Sequence, residues 1–270
     1  MRVAHISDLH FGRLSSAHIQ EDLITSIRTA GCDAVIITGD LTQRARRSEF
    51  RAARAFLSAL PKPLLVIPGN HDAHAWWHHP ELRIFNPFLR YKKWISEDLE
   101  QNISREGLAV LGLNTAHGLT VKGGRCTTQQ IERVYDYFLR QPPDAFKVLA
   151  VHHPLLVFHP SKELDVARKG AELLRAAVEC GVDVVCAGHW HLPHIEFCNT
   201  TPGRILVSVA GTATSDRGRF SHDGVNSWIL LEKTSQGIET QYYIYAQETR
   251  TFNLTEHTRY LPDGQDETIA

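Results

Sequence analysis

No stretch of this 270-residue chain approaches the ~18 consecutive apolar residues of a membrane span. An excess of one charge is missing too: 29 Lys and Arg face 30 Asp and Glu, a formal net charge of -1. That balance leaves no global basic field for a nucleic-acid duplex or an anionic membrane, so a charged partner must be held locally. The five cysteines, Cys32, Cys126, Cys180, Cys186 and Cys198, are odd in number and include no C-x-x-C pair. Reduced, mostly buried thiols are expected rather than a disulfide framework or a thiolate metal site. There is no low-complexity tract, long charge block or sequence repeat, and Met1-Arg2 runs straight into "VAHIS" without a signal-peptide pattern. The expectation is a cytoplasmic chain. With 43% hydrophobic residues it can bury a substantial core, and single α/β domains reach ~250 residues, so one domain over 1–270 is expected.

What the chain does have is one construction used five times. "VAHIS" leads to Asp8-Leu9-His10, "AVIIT" to Gly39-Asp40, and "LLVIP" to Gly69-Asn70-His71-Asp72. "KVLAV" leads to His152-His153, and "VDVVCA" to Gly188-His189-Trp190-His191. Each is a short β-branched run, as expected for a strand covered on both faces, and each ends in side chains of ligand type. Between several of them lie segments of helical period: Ile19, Leu23 and Ile27; Phe50, Ala53, Leu57 and Leu60; a capping box at Thr127 to Gln130 opening a helix through Leu139; and Gly170 to Cys180. Alternating strands and helices predict βαβ units with parallel pairing, whose ligands bind outside the carboxyl ends of the strands. The five tips should therefore converge. "RILVSVAGTATS", "SWILLEK" and "IETQYYIYA" follow one another without helices, which predicts an antiparallel second sheet stacked on the first; the polar residues 248–270 are expected as an edge or a tail.

The converging side chains are Asp8, His10, Asp40, Asn70, His71, His152, His189 and His191. Carboxylates, neutral imidazoles and an amide oxygen form a mixed oxygen and nitrogen donor set, suited to Mn²⁺, Fe or Zn²⁺ rather than Mg²⁺ or Ca²⁺. With His71 set aside, seven ligands exceed what one tetrahedral ion with an open position uses and suit two ions sharing a bridging carboxylate. Two metals ~3.5–4 Å apart can hold the attacking and leaving oxygens of an in-line displacement at phosphorus.

The ordered set D-x-H, G-D, G-N-H-D, H and G-H-x-H, from Asp8 to His191, resembles the calcineurin-like metallophosphoesterases, and the pattern is most similar to bacterial class III cyclic nucleotide phosphodiesterases. The resemblance implies an αββα sandwich of two stacked mixed β-sheets flanked by helices. It also implies two divalent or mixed-valence ions (Mn, Fe or Zn), with Asp8, His10 and His191 on one, Asn70, His152 and His189 on the other, and Asp40 bridging. His71 corresponds to a non-ligand histidine that stabilises phosphoryl charge or protonates the leaving oxygen, with Asp72 orienting it, and a hydroxide between the metals is the implied nucleophile. The implied partner is a small phosphate ester, such as a cyclic nucleotide. Two alternatives share the fold: hydrolysis of a lipid-linked diphosphate of the UDP-diacylglucosamine type, and a non-catalytic scaffold. The first is disfavoured by His71, since enzymes of that type carry arginine there; the second by the complete ligand set.

Other residues are read more plainly. His153 is taken as structural, and His5, His18, His117, His159, His222 and His257 are left unassigned. An insert at 75–107 opens with "AWWHHPELRIFNPFLRYKKWI", whose aromatics and cations fit packing onto the sheet, a substrate lid, or a membrane-surface contact, with packing preferred. Arg125, Arg217 and Arg219 lie in loops able to approach the rim, and an arginine fork suits phosphate, but surface arginines are common and none is assigned. "GGRC" and "GTATSD" are read as glycine-containing turns, with little in them to make a phosphate cradle.

Overall fold

The computed structural model describes residues 1–75, 80–119, 123–157, 165–218, 225–262 and 265–269. Trp76, Trp77, His159, Arg219 and His222 lie outside them. The five apolar runs are strands: β1 (Arg2–Ile6), β2 (Ala34–Ile37), β3 (Leu64–Val66), β7 (Phe146–Val151) and β9 (Val184–Ala187). Their continuous hydrophobicity reflects burial on both faces. Along β1, Ala4 and Ile6 join a core with Ile19, Leu23 and Ile27 of α1 (Ile19–Ala30) and Phe50, Ala53 and Leu57 of α2 (Arg47–Ala59). Val3, on the other face, joins the inter-sheet core with Ile36, Leu65, Val110, Val148, Val184 and Leu206. A third core sets Val134 and Phe138 of α5 (Thr128–Phe138) and Leu173, Leu174 and Ala177 of α6 (Gly170–Glu179) against Leu149, Val151 and Val185. The layers are thus helix, sheet, sheet, helix. The capping box opening α5 is formed: Gln130 N–H donates to Thr127 Oγ1 (3.1 Å) and Thr127 N–H to Gln130 Oε1 (2.8 Å).

The strands divide differently from the sequence expectation. β4 (Asn102–Arg105), β5 (Leu108–Leu113), β10 (His194–Asn199) and β11 (Arg204–Val209) join β7 and β9 in a sheet of order β10-β11-β9-β7-β5-β4, whose four central strands are parallel. β6 (Gly124–Arg125) and β8 (Ala167–Arg168) form a small separate pair. The C-terminal strands β12 (Ser227–Lys233), β13 (Ile238–Ala246), β14 (Thr251–Tyr260) and β15 (Asp266–Thr268) make no new layer. They extend the first sheet as an antiparallel meander, in the order β15-β14-β13-β12-β1-β2-β3. The reason is the open edge of β1: only one side pairs with β2, and β12 takes the other, with Arg2 opposite Glu232 and His5 opposite Ile229. Within 248–270, β14 and β15 are correspondingly an edge of that sheet rather than a tail, with Phe252, Thr258 and Tyr260 buried and most of their neighbours exposed.

In the insert, Phe88, Tyr91 and Trp94, from α4 (Leu89–Trp94) and its start, pack onto the first core, and Tyr91 OH donates to the Val66 carbonyl at 2.9 Å. Ile84 and Phe85 at the end of α3 (Pro80–Phe85) are exposed. Packing therefore holds for its second half. No helix among the described residues is long and apolar enough to cross a membrane.

Candidate metal centre

The tips of both sheets meet at one end of the sandwich. Among the described residues eight non-glycine positions have positive φ, and five of them are candidate ligands: Asp8 (54°), His10 (46°), Asp40 (51°), His189 (69°) and His191 (56°). This region costs an L-residue roughly 1–3 kcal/mol, so its concentration here means that tertiary contacts impose it. Those contacts are visible. Asp8 N–H donates to the Gly39 carbonyl (3.1 Å) and His10 N–H to the Asp40 carbonyl (3.0 Å), locking the β1 exit beside the β2 exit. His189 N–H donates to Asp8 Oδ2 at 2.9 Å, tying the second sheet to the first.

Two donor groups result. In one, Asp8 Oδ1 lies 3.1 Å from His191 Nε2 and 3.6 Å from His10 Nε2, the two imidazole nitrogens are 3.1 Å apart, and Asp40 Oδ2 is 3.7 Å from His10 Nε2. In the other, Asn70 Oδ1 lies 3.1 Å from His152 Nε2 and 3.0 Å from His189 Nδ1, and Asp40 Oδ1 is 3.5 Å from His152 Nε2. The two oxygens of Asp40 thus face the two groups. Asp8 Oδ1 and Asp40 Oδ2 are buried and no hydrogen bond among the described residues satisfies them, although a buried polar atom ordinarily finds a partner. Acceptor atoms converging on common points fit a cation at each.

Protonation states agree with that fit. Burial alone would raise the Asp8 carboxyl, but His191, His10 and His152 outweigh it and hold it well below the usual range. Asp40 is likewise lowered, with His152, His71 and His10 overcoming burial. Burial drives His10 down to about 4 despite Asp8 and Asp40, and, with His153 and His152, holds His189 well below its ordinary value. Ionised carboxylates and neutral imidazoles are the forms that ligate metal. The tautomer of His152 follows from its Nδ1–H, which donates to the Thr38 carbonyl at 2.6 Å and leaves Nε2 bare toward Asn70 and Asp40.

His71 sits beside these groups, its ring edge-on to His10 with centroids 4.9 Å apart. Its backbone N–H donates to Asp40 Oδ1 (2.8 Å) and its Nδ1–H to the Gln43 carbonyl (2.8 Å). Asp72 does not orient that ring, contrary to the sequence expectation. Its carboxylate accepts from the N–H groups of Gly69, Leu41 and Thr42 and from Thr42 Oγ1, at 2.9–3.1 Å, so it fixes the turn carrying Asn70 and His71. Burial, then the neighbouring Asp40 charge, push the Asp72 carboxyl up to about 7. The Gly69 backbone is extended, and what requires glycine there is close approach, since a Cβ would lie 2.1 Å from Asp40 Oδ1. His153, read as structural, bonds Thr115 Oγ1 through Nδ1 (2.9 Å), yet its ring centroid is 4.5 Å from that of His189, and the ligand atoms of His152, His153 and His189 lie within 4.8 Å of one another. The "GTATSD" hydroxyls serve the scaffold, with Thr212 and Thr214 donating to the carbonyls of Asp8 and Leu9. Sequence reading also left Arg217 unassigned; its Nη1 donates to His71 Nε2 at 3.0 Å. The carbonyls of Thr38 and Gln43 had no sequence signal, because every residue carries one.

Residues 1–193 match the family described as calcineurin-like phosphoesterase. A glycerophosphodiester phosphodiesterase, GpdQ, of Enterobacter lignolyticus is 38% identical over 85 residues, 28% of this chain and 31% of that protein. A cAMP/cGMP dual specificity phosphodiesterase of Mycobacterium tuberculosis is 28% identical over 254 residues, covering 82% of this chain and 73% of that protein. Among solved structures, a purple acid phosphatase from yellow lupin superposes with a TM-score of 0.71 at 14% identity; the match covers 94% of this chain and about half, 52%, of the lupin chain. At that identity the likeness speaks for the fold alone.

Proposed function

The chain belongs to the calcineurin-like phosphoesterase family, and on that premise we propose that it is a cytoplasmic, single-domain, metal-dependent hydrolase of a small phosphodiester, with a cyclic nucleotide as the candidate substrate. The observation that carries this reading is Asp40, whose two carboxylate oxygens face two separate donor groups. In it, Asp8, His10 and His191 would hold one ion and Asn70, His152 and His189 the other, with Asp40 able to serve both. The donor set suits Mn²⁺, Fe or Zn²⁺. Bound there, two such ions would supply Lewis acidity toward the phosphoryl oxygens and acidify the attacking water.

The chain's own groups do the rest. Asp8 and Asp40 bring the negative charge that would offset the ions, and the Thr38 carbonyl keeps His152 Nε2 turned toward Asn70 and Asp40. The Gln43 carbonyl fixes the His71 ring so that Nε2, rather than Nδ1, addresses the reacting group. From there His71 stabilises the charge that develops on the phosphoryl group, or takes up a proton at Nε2 and passes it to the leaving oxygen. The cAMP/cGMP phosphodiesterase, aligned with 82% of this chain, supports a cyclic diester as the first substrate to test.

The decisive screen uses purified protein with Mn²⁺ against cyclic AMP and GMP, an aryl phosphodiester and an aryl phosphomonoester, with metal content measured in parallel. Diester hydrolysis lost on chelation and restored by Mn²⁺ is the expected result. Protein loaded with metal that cleaves none of these overturns the reading.

A further inference from the structure

Past β11 the chain does not turn straight back. Residues 210–215 lie along the β1 exit, and their short polar groups are spent as anchors. Thr212 Oγ1 donates to the Asp8 carbonyl (2.8 Å), Thr214 Oγ1 to the Leu9 carbonyl (2.6 Å) and Ala213 N–H to the Ser7 carbonyl (3.1 Å). Asn226 Nδ2 donates to the Ser215 carbonyl (2.7 Å), and Ser15 N–H to the Thr214 carbonyl (3.0 Å). This loop and the Asp8-bearing loop are therefore one body. Asp216 pairs with Arg13 at 2.5 Å, and Arg217 N–H donates to Ser215 Oγ at 3.3 Å. The half-buried Arg217 side chain is thereby delivered to His71 Nε2.

Its acceptor there is a ring nitrogen. The Nδ1 proton of His71 is committed to the Gln43 carbonyl, so Nε2 receives the Arg217 donor with a lone pair. A guanidinium is a permanently charged planar fork with five donors, matched to the geometry of phosphate, and an anionic oxygen adds Coulomb attraction and bidentate geometry that an imidazole nitrogen lacks. An anionic phosphoryl oxygen arriving next to His71 is thus a better partner for the same guanidinium than the imidazole is, and a fork can meet both. We infer that Arg217 is a substrate-contacting residue that binds a non-bridging phosphoryl oxygen alongside His71. This rests on the phosphoesterase reading above, and it assigns to the second-sheet loop a direct part in phosphate recognition.

The test uses the full-length protein loaded with Mn²⁺, comparing wild type, Arg217→Gln, Arg217→Lys, His71→Gln and the double variant Arg217→Gln/His71→Gln. Affinity for inorganic phosphate is measured by calorimetry and by competition against aryl phosphodiester hydrolysis, alongside metal content and thermal midpoint. Arg217→Gln should keep its metals and its midpoint while binding phosphate about 10- to 100-fold more weakly, the loss expected for a hydrogen bond between charged groups. KM for the diester should rise by the same order. Arg217→Lys should recover part of the loss, and the weakening should persist in the His71→Gln background. Unchanged phosphate affinity in Arg217→Gln, with wild type binding phosphate normally, overturns the inference. So does a loss that disappears when His71 is already Gln, because Arg217 then acts only by positioning the ring. A wild type that binds no phosphate and cleaves no ester instead overturns the phosphoesterase reading itself.

Discussion

The two sheets contribute unlike chemistry to the candidate centre. The loops after β1, β2 and β3 supply both carboxylates, Asp8 and Asp40, together with the Asn70 amide, His10 and His71; the loops after β7 and β9 supply imidazoles only, His152, His153, His189 and His191. Neither sheet alone makes a site for a cation pair: one lacks most of the nitrogen donors, the other lacks all of the charge. The inter-sheet core is therefore as much a part of the candidate centre as its candidate ligands. A polar group beside that core shows how close the coupling is. His5, buried on β1, bonds Thr38 Oγ1 of the first sheet's loop and Ser208 Oγ of β11 in the second sheet, both at 3.1 Å.

Removing the charge that both groups share should have the largest effect. Asp40→Asn is expected to lower turnover by about 10³-fold or more and to cost at least one bound metal, read by metal analysis beside kinetics. Two metals retained at normal turnover would break the division drawn between the sheets. Next is His71, on the same strand exit as Asn70 but turned elsewhere. His71→Ala should keep both metals and lose roughly 10²–10⁴-fold in turnover, the range of a positioned proton donor, with a smaller loss on aryl esters, whose leaving group hardly needs the proton. A metal site emptied by this change would make His71 a ligand or a ligand support.

The seam between the sheets can be strained without replacing a candidate ligand. A methyl at Gly188 would lie 1.9 Å from Ser7 Oγ and 2.6 Å from Asp8 Oδ2, so Gly188→Ala must push the second-sheet loop off the first. We expect about 1–3 kcal/mol of destabilisation and metal affinity lowered by about 10–100-fold, checked by melts of metal-stripped protein and by metal titration. Unchanged affinity would show that the two loops tolerate separation.

The smallest effect concerns His5. Burial depresses it to about 3, with Asp8 opposing, whereas an unfolded histidine titrates near 6.5. Below about 6.5 the unfolded chain binds a proton that the fold refuses, so this group's contribution is fully present above that pH and is lost as pH falls toward 3. The slope is about 1.4 kcal/mol per pH unit. The stability gap between wild type and His5→Gln in denaturant titrations should narrow at that rate from pH 6.5 to 5; a gap constant with pH would mean that His5 charges freely inside the fold.

Much of the centre was legible from the chain alone. Asp8, His10, Asp40, Asn70, His152, His189 and His191 stand at strand ends because an apolar run that stops at a ligand-type residue is a local pattern, and the helical stripes of α1, α2, α5 and α6 are local as well. Sheet membership was not legible. A strand buried on both faces reads the same whichever sheet it joins, so from sequence β7 and β9 share one rim with β1 to β3 and β11 to β13 form a separate antiparallel layer, whereas β11 pairs with β9, and β12 and β13 extend the sheet of β1.

By itself the sequence determined which atoms are available to coordinate and in what order they occur, because ligand chemistry belongs to the side chain. Tertiary structure alone decided which of them face one another and which way each ring points. Those outcomes depend on partners distant in sequence: the Thr38 carbonyl on His152, the Gln43 carbonyl and Arg217 on His71, and the Asp72 carboxylate on the N–H groups of Leu41 and Thr42. Two of these four partners are backbone carbonyls, which every residue carries and no residue type announces, and only the packing of one sheet on the other, together with the loops at its edge, brings such groups within 3.0 Å of their targets.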